Sequence, residues 1–139
     1  MILRLFLNTL SAMKKDFDVW NTQKKITQNE SGRFYSVREI WWCKLGVNIG
    51  SEQDGKGDNF LRPCIIVRGF GADTCLVLPL TTSSKNHFLR VPVGLVDGKE
   101  ARANLSQLRL IDTRRLVEKI GFLEKEKFEI LIKRIRELF

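Results

Sequence analysis

Arg62 stands directly before Pro63 and a short apolar run, and the hydroxyl series Thr81, Thr82, Ser83 and Ser84 ends on Lys85. A guanidinium stays charged and presents a planar fork of donors to two oxygens of one phosphate. A hydroxyl can donate a further bond to the same group or pass a proton. Lys56, in a glycine-rich stretch, and Arg109 add cations of the kind that hold phosphodiesters. If strand ends bring these segments together, one arginine and a few hydroxyls converge on a phosphate. The plainer alternative is a surface arginine and an ordinary polar turn, and residue types alone leave both open.

Much other chemistry is excluded. The chain has one histidine, His87, and three cysteines, Cys43, Cys64 and Cys75, at wide spacing with no CxxC pair. A zinc site built from His and Cys is not expected, nor is a mechanism that needs two imidazoles. The cysteines sit among apolar neighbours and read as small buried hydrophobes in a reducing, cytoplasmic setting rather than as a disulfide framework. The glycine-rich stretch matches neither GxxxxGK[ST] nor GxGxxG, so no nucleotide cofactor is expected. Twenty-four Lys and Arg against 16 Asp and Glu give a net charge of +8. That excess makes a polyanion the first partner to consider and an anionic membrane surface the second. The apolar residues 1–10 contain Arg4 and fall far short of the ~20 that a spanning helix needs, so no membrane partner is expected. Met13 offers a second start, and residues 1–12 carry no functional weight.

The elements that must position these groups follow from periodicity. Met13, Phe17 and Trp20 recur at helical spacing with Ser11 as N-cap, so the reading is an amphipathic arm over 11–28 and a polar linker from Thr27 to Arg33. Residues 38–45 read as a strand whose Trp41 and Trp42 point to opposite faces, one toward a core. A loop over 46–62 leads to a short strand at 63–68, a turn at 69–73 and a strand at 74–80. A polar loop at 81–86, a strand at 87–93, a turn at 96–99 and one half-buried strand over 101–111 follow. The C-terminus carries the cleanest helix, with Phe128, Leu131, Ile132, Ile135, Leu138 and Phe139 in one stripe. Glu129–Lys133 and Lys133–Glu137 are spaced i,i+4 on its other face. Short strands at close spacing with terminal helices predict a small barrel or compact sheet with helices packed outside.

The strings Glu39-Ile-Trp-Trp42, Gly50-Ser-Glu-Gln53, Arg62-Pro-Cys-Ile-Ile-Val67, Val77-Leu-Pro-Leu-Thr-Thr82, Leu105-Ser-Gln-Leu-Arg-Leu-Ile-Asp112 and Ile120-Gly121 follow one another in a telling order. In that order the chain resembles the MazF/PemK family of toxin–antitoxin ribonucleases over roughly residues 38–139. The resemblance implies a mainly β fold with helices (α+β), an SH3-like small β-barrel of the MazF/PemK/CcdB type with a C-terminal helix. Residues 1–37 then form an extra N-terminal helical arm and linker, and 38–139 the barrel domain. It also implies a homodimer, cleavage of single-stranded RNA without metal or cofactor, and a cognate antitoxin protein that occupies the RNA groove.

Carried over by position, the resemblance makes Arg62 and Thr81 the catalytic pair, with Thr82 close enough to compete for the second place. Glu52 and Gln53 line the substrate groove, and Gln107 and Arg109 match a later Gln-x-Arg pair. Lys56, Thr82, Ser83 and Lys85 complete the expected RNA contacts. Two departures stand out: the inserted segment 54–61, which prevents transfer of a cleavage sequence, and the arm itself. The alternative function is a non-catalytic barrel toxin or interaction module that binds a protein target such as gyrase.

Overall fold

The runs Pro63-Cys-Ile-Ile-Val67 and Val77-Leu-Pro-Leu80 are too continuously apolar for strands with one wet face, and their burial explains them. In the computed structural model, which describes residues 15–139, they form the middle of strands β2 (Leu61–Phe70) and β3 (Thr74–Thr81). Both faces of this pair are covered. Ile65, Val67, Leu78 and Leu80 join one core with Ile40, Leu105, Leu123 and Leu131, while Cys64, Ile66, Cys75 and Val77 join a second with Trp41, Leu45, Ile111 and Leu116. Each fully buried Leu or Ile contributes about 1.5–3 kcal/mol, so alternation gives way to continuous runs where both faces are dry.

The sheet is antiparallel and curled. Strands β1 (Glu39–Lys44), β4 (Arg90–Val96), β5 (Lys99–Asn104), β6 (Arg109–Asp112) and β7 (Leu116–Phe122) complete it, in the order β4-β5-β3-β2-β1-β7. Strand β3 forks: Thr74–Val77 pair with β6, and Leu80 and Thr81 pair with β5. The single strand expected over 101–111 is therefore two strands broken by a 3₁₀ turn at Leu105–Gln107. Leu80 faces Ala103 and Val77 faces Arg109, so three steps along β3 correspond to six along its partner, and the turn absorbs the excess. The strand expected at 87–93 lies at 90–96, and Asp97-Gly98 close its hairpin with φ of +51° and +77°. β7 was not foreseen as a strand; it pairs with β1 as an edge whose residues are mostly half-exposed, and so carries a weak apolar signal.

Helix α1 (Phe17–Gln28) begins later than expected. Ser11 and Met13 lie outside the described residues, and Asp16 caps the helix by accepting from the Val19 N–H at 3.0 Å. Phe17 is half-exposed, and Trp20 and Thr27 are the residues turned inward. The Trp20 indole lies where a Cβ on Gly46 would fall, within 1.9 Å of Cε2, and Gly46 holds φ at +72°. Only glycine satisfies both conditions. Helix α2 (Lys125–Arg136) buries Leu131 and leans Phe128, Ile132 and Ile135 on the first core. Leu138 and Phe139 of the expected stripe stay exposed, and the helix ion pair is Arg134–Glu137 at 3.6 Å rather than either expected i,i+4 pair. Cys43, Cys64 and Cys75 are fully buried free thiols. No described helix is long and apolar enough to cross a membrane.

Candidate nucleic-acid site

The segment between β1 and β2 is tied to itself at every stage. Leu45 and Gly46 N–H both donate to the Phe60 carbonyl at 3.1 and 3.2 Å, and Gly55 N–H donates to the Gly46 carbonyl at 2.7 Å. Lys56 and Leu61 exchange backbone bonds at 2.7 and 3.0 Å. The Asn48 side chain donates to the Leu45 and Gln53 carbonyls, and its N–H donates to Asp54 Oδ1 at 2.7 Å. What the sequence presents as a loop ending at Arg62 is therefore an ordered lobe, and Arg62 itself is the second residue of β2.

This lobe decides how the arginine is held. Arg62 is 7% exposed, and among the described residues its charge meets no carboxylate in an ion pair; backbone oxygens receive it instead. Nε donates to the Asp54 carbonyl at 2.5 Å and Nη1 to the Leu80 carbonyl at 3.0 Å. The Gln53 carboxamide lies against the same group and, with its oxygen turned toward the guanidinium, accepts from Nε at 3.2 Å and Nη2 at 3.0 Å. With Gln53 so turned, one of the two N–H bonds on each Nη has no partner among the described residues, and two such donors can take a bidentate anion. Burial lowers the Arg62 pKa below its ordinary value, and the nearby Asp54 carboxylate acts in the opposite direction. The guanidinium stays charged.

Arg62 opens on a cleft of about 540 Å³. Continuing the β2–β3 register one pleat beyond Cys64 and Pro79 sets Arg62 across from Thr81, and both line this cleft. Thr82 and Lys56 line it as well, with Trp42, Pro63, Val96 and Val117 as apolar wall and Lys99 as a third cation beside Arg62 and Lys56. Asp97 and Glu118 are its carboxylates. Trp41 is buried and its neighbour Trp42 faces the cleft, the division that strand alternation predicts.

Glu52, Gln53, Gln107 and Arg109 gather elsewhere, around a second concavity of about 430 Å³ shared with Asn48 and Ser106. Gln107 Oε1 accepts from the Gln53 N–H at 2.8 Å, and its Nε2 donates to the Ser51 carbonyl. Gln53 joins the two places, since its backbone belongs to the second concavity and its amide touches Arg62. Ser83 and Lys85 line neither. Their carbonyls accept from Arg102 Nη1 at 3.3 and 3.0 Å, and Ser83 Oγ accepts from Arg90 Nη1 at 3.1 Å. Arg90, Arg102 and Asn104, whose side-chain amide lies 3.1 Å from the Gln53 carboxamide on the side away from Arg62, are organising residues that sequence reasoning missed. Asn104 and Arg102 are set by β5 pairing beside β3, which no local pattern reports. Among the described residues no group of three His, Cys, Asp or Glu side chains is placed to hold a metal ion.

The curled antiparallel half-barrel with its C-terminal helix is the fold of MazF-like toxins. The family described as PemK-like, MazF-like toxin of type II toxin–antitoxin system matches residues 36–139, and this chain belongs to that family. Among solved structures it is similar to MazF from Deinococcus radiodurans, with a TM-score of 0.65 at 16% identity over 76% of this chain and 96% of that one. The Mycobacterium tuberculosis toxin MazF-mt6 aligns with a TM-score of 0.57 at 19% identity, covering 72% and 94%. An endoribonuclease from a mycobacterial species, solved in complex with its cognate antitoxin, aligns with 0.58 at 14% identity over 75% and 93%. These likenesses establish the fold. No curated protein sequence matches the chain significantly.

Proposed function

We propose that this protein is an endoribonuclease toxin that cuts single-stranded RNA by transesterification, with Arg62 and Thr81 as its catalytic pair. The observation that carries the reading is the shared cleft: a buried guanidinium held by backbone carbonyls, with two N–H bonds that have no partner among the described residues, lining the same cleft as Thr81. RNA brings its own nucleophile. The 2′-oxygen attacks the adjacent phosphorus, the P–O5′ bond breaks, and the products are a 2′,3′-cyclic phosphate and a 5′-hydroxyl. The protein's work is to align that oxygen and to stabilise charge as it grows on the phosphoryl oxygens. Arg62 supplies the charge and the fork, and Thr81 a hydroxyl donor. Threonine is a poor base, and the 2′-proton passes to one of the cleft carboxylates, Asp97 or Glu118, or to water.

Lys56 and Thr82 hold the strand beside the scissile bond, and Glu52, Gln53, Gln107 and Arg109 guide it over the second concavity. Ser83 and Lys85 contact it at the rim of the 81–86 loop. The toxin acts in the cytoplasm as a homodimer, and its antitoxin protein covers these same surfaces. The test is incubation of the purified protein with a long mixed-sequence transcript in EDTA, with ends mapped at nucleotide resolution. Discrete cuts bearing cyclic phosphate, lost in Arg62→Lys, are expected. An intact transcript refutes the nuclease reading and turns attention to a protein target.

A further inference from the structure

The arm before the barrel reaches the arginine through the lobe. Lys15 Nζ donates to the Asn48 carbonyl at 2.5 Å and to the Gly50 carbonyl at 3.0 Å, and pairs with Asp54 Oδ2 at 3.1 Å. Five residues on, Trp20 packs face-on against Gly46, where the lobe begins, and sits 5.5 Å from the ring of Phe60, where it ends. Phe60 holds a left-handed φ of +55°, a conformation that costs a non-glycine residue free energy and persists only when its surroundings enforce it. Arg115 closes the other side, stacked 5.6 Å over the indole and donating to the Lys44 carbonyl at 3.0 Å. The arm therefore grips the lobe near its start, at its last residue and in its middle. Asp54 and Gln53, which receive Arg62, lie within that grip.

We infer that the N-terminal arm is a positioning device for Arg62, with Lys15 and Trp20 as positioning residues that act through Asp54, Gln53 and Phe60. This inference rests on the proposed role of Arg62. The Lys15 ammonium collects three oxygens of the lobe, the Asn48 and Gly50 carbonyls and the Asp54 carboxylate, and so fixes residue 54, whose carbonyl receives Nε. A guanidinium displaced from its aim loses transition-state contacts before it loses ground-state binding, because an ångström of misplacement costs on the order of 10² in rate.

The test uses the full chain and a short single-stranded RNA chosen from a mapped cut, alongside the same strand with a 2′-deoxy sugar at the cut. Lys15→Met removes the ammonium, and Asp54→Asn removes its carboxylate partner while keeping an acceptor for the Asn48 N–H. Each is expected to lower the single-turnover cleavage rate about tenfold while affinity for the uncleavable strand changes less than about twofold. Lys15→Arg restores the rate, and the double variant is no slower than the slower single. Wild-type rates in both singles overturn the inference, as do equal losses in rate and affinity or strictly multiplicative losses in the double. Both side chains are partly exposed, and if one variant fails to fold the other carries the test. Arg62→Lys run in parallel separates the two readings. If it cleaves at the wild-type rate, the catalytic role of Arg62 falls and the role of the arm with it; if it is inactive while Lys15→Met is unimpaired, only the role of the arm falls.

Discussion

Arg62 Nη1 donates to the carbonyl of Leu80, the residue before Thr81, so the guanidinium on β2 is fastened to the very stretch of β3 that carries the hydroxyl. Activity and stability then separate by substitution. Arg62→Lys keeps a charge but loses the fork, and cleavage is expected to fall about 10²–10³-fold with a modest change in melting temperature. Arg62→Ala also strands the Asp54 and Leu80 carbonyls, which adds roughly 1–3 kcal/mol of destabilisation. Parallel cleavage assays and denaturant melts decide the matter; equal stability of the two variants counts against the buried network.

Thr81→Val removes the hydroxyl at nearly constant volume, and with it the bond from the Ser83 N–H at 3.2 Å. Cleavage is expected to drop on the order of 10²-fold and to recover largely in Thr81→Ser. A serine variant as slow as valine argues that the methyl group, not the oxygen, is needed.

Lys56 and Arg109 line different concavities but are expected to touch the same strand. Neutralising either one to Gln lowers the slope of log affinity against log salt by roughly 0.7 for single-stranded RNA. Lys85, on the exposed loop rim, should give the same change if it holds a phosphate. A slope unchanged within error removes that residue from the contact surface.

Gly46→Ala meets the Trp20 ring, whereas a Cβ on Gly50 meets nothing within 4 Å, although both hold positive φ at +72° and +53°. Gly50→Ala is expected to cost about 1 kcal/mol from backbone strain alone, and Gly46→Ala clearly more, because the indole must move. Thermal melts of the two variants side by side test this, and equal losses rule out the close packing of the arm.

Asp112 accepts two bonds from the Arg114 guanidinium, at 2.9 and 2.8 Å, and one from its N–H. The Arg114 side-chain bonds are the main cause that lowers its pKa from 3.8 to about 2. A carboxyl whose folded pKa is depressed stabilises the fold above its unfolded value and loses that contribution as pH falls through the folded one. The melting advantage of wild type over Asp112→Asn should thus be full above about pH 5 and shrink toward pH 2. An advantage that stays constant across this range excludes the ion pair as its source.

Periodicity and order of types were enough to expect a mainly β chain with a helix at each end, because burial on one face or two writes itself into local pattern. The Asp97-Gly98 hairpin and the Leu131 stripe were legible for that reason. The break at Leu105–Gln107 has a faint trace, since the spacing of the apolar positions changes from two to three after Leu105, with partly buried Leu108 and buried Ile111 next, but alternation up to that point hides it. Edge strand β7 had none, because half-exposed residues need no apolar pattern.

By itself, the sequence determined which residues own the needed chemistry: a guanidinium beside Pro63, the hydroxyls after β3, and a +8 chain short of imidazoles. Only the tertiary structure decided that Arg62 is buried rather than a surface cation, and that backbone carbonyls from residues 54 and 80 aim it. It also decided that the arm braces the lobe through Lys15 and Trp20. The reason is physical. Side-chain chemistry is a property of one residue, whereas desolvation and aim depend on oxygens brought from distant positions, and strand register alone sets those distances.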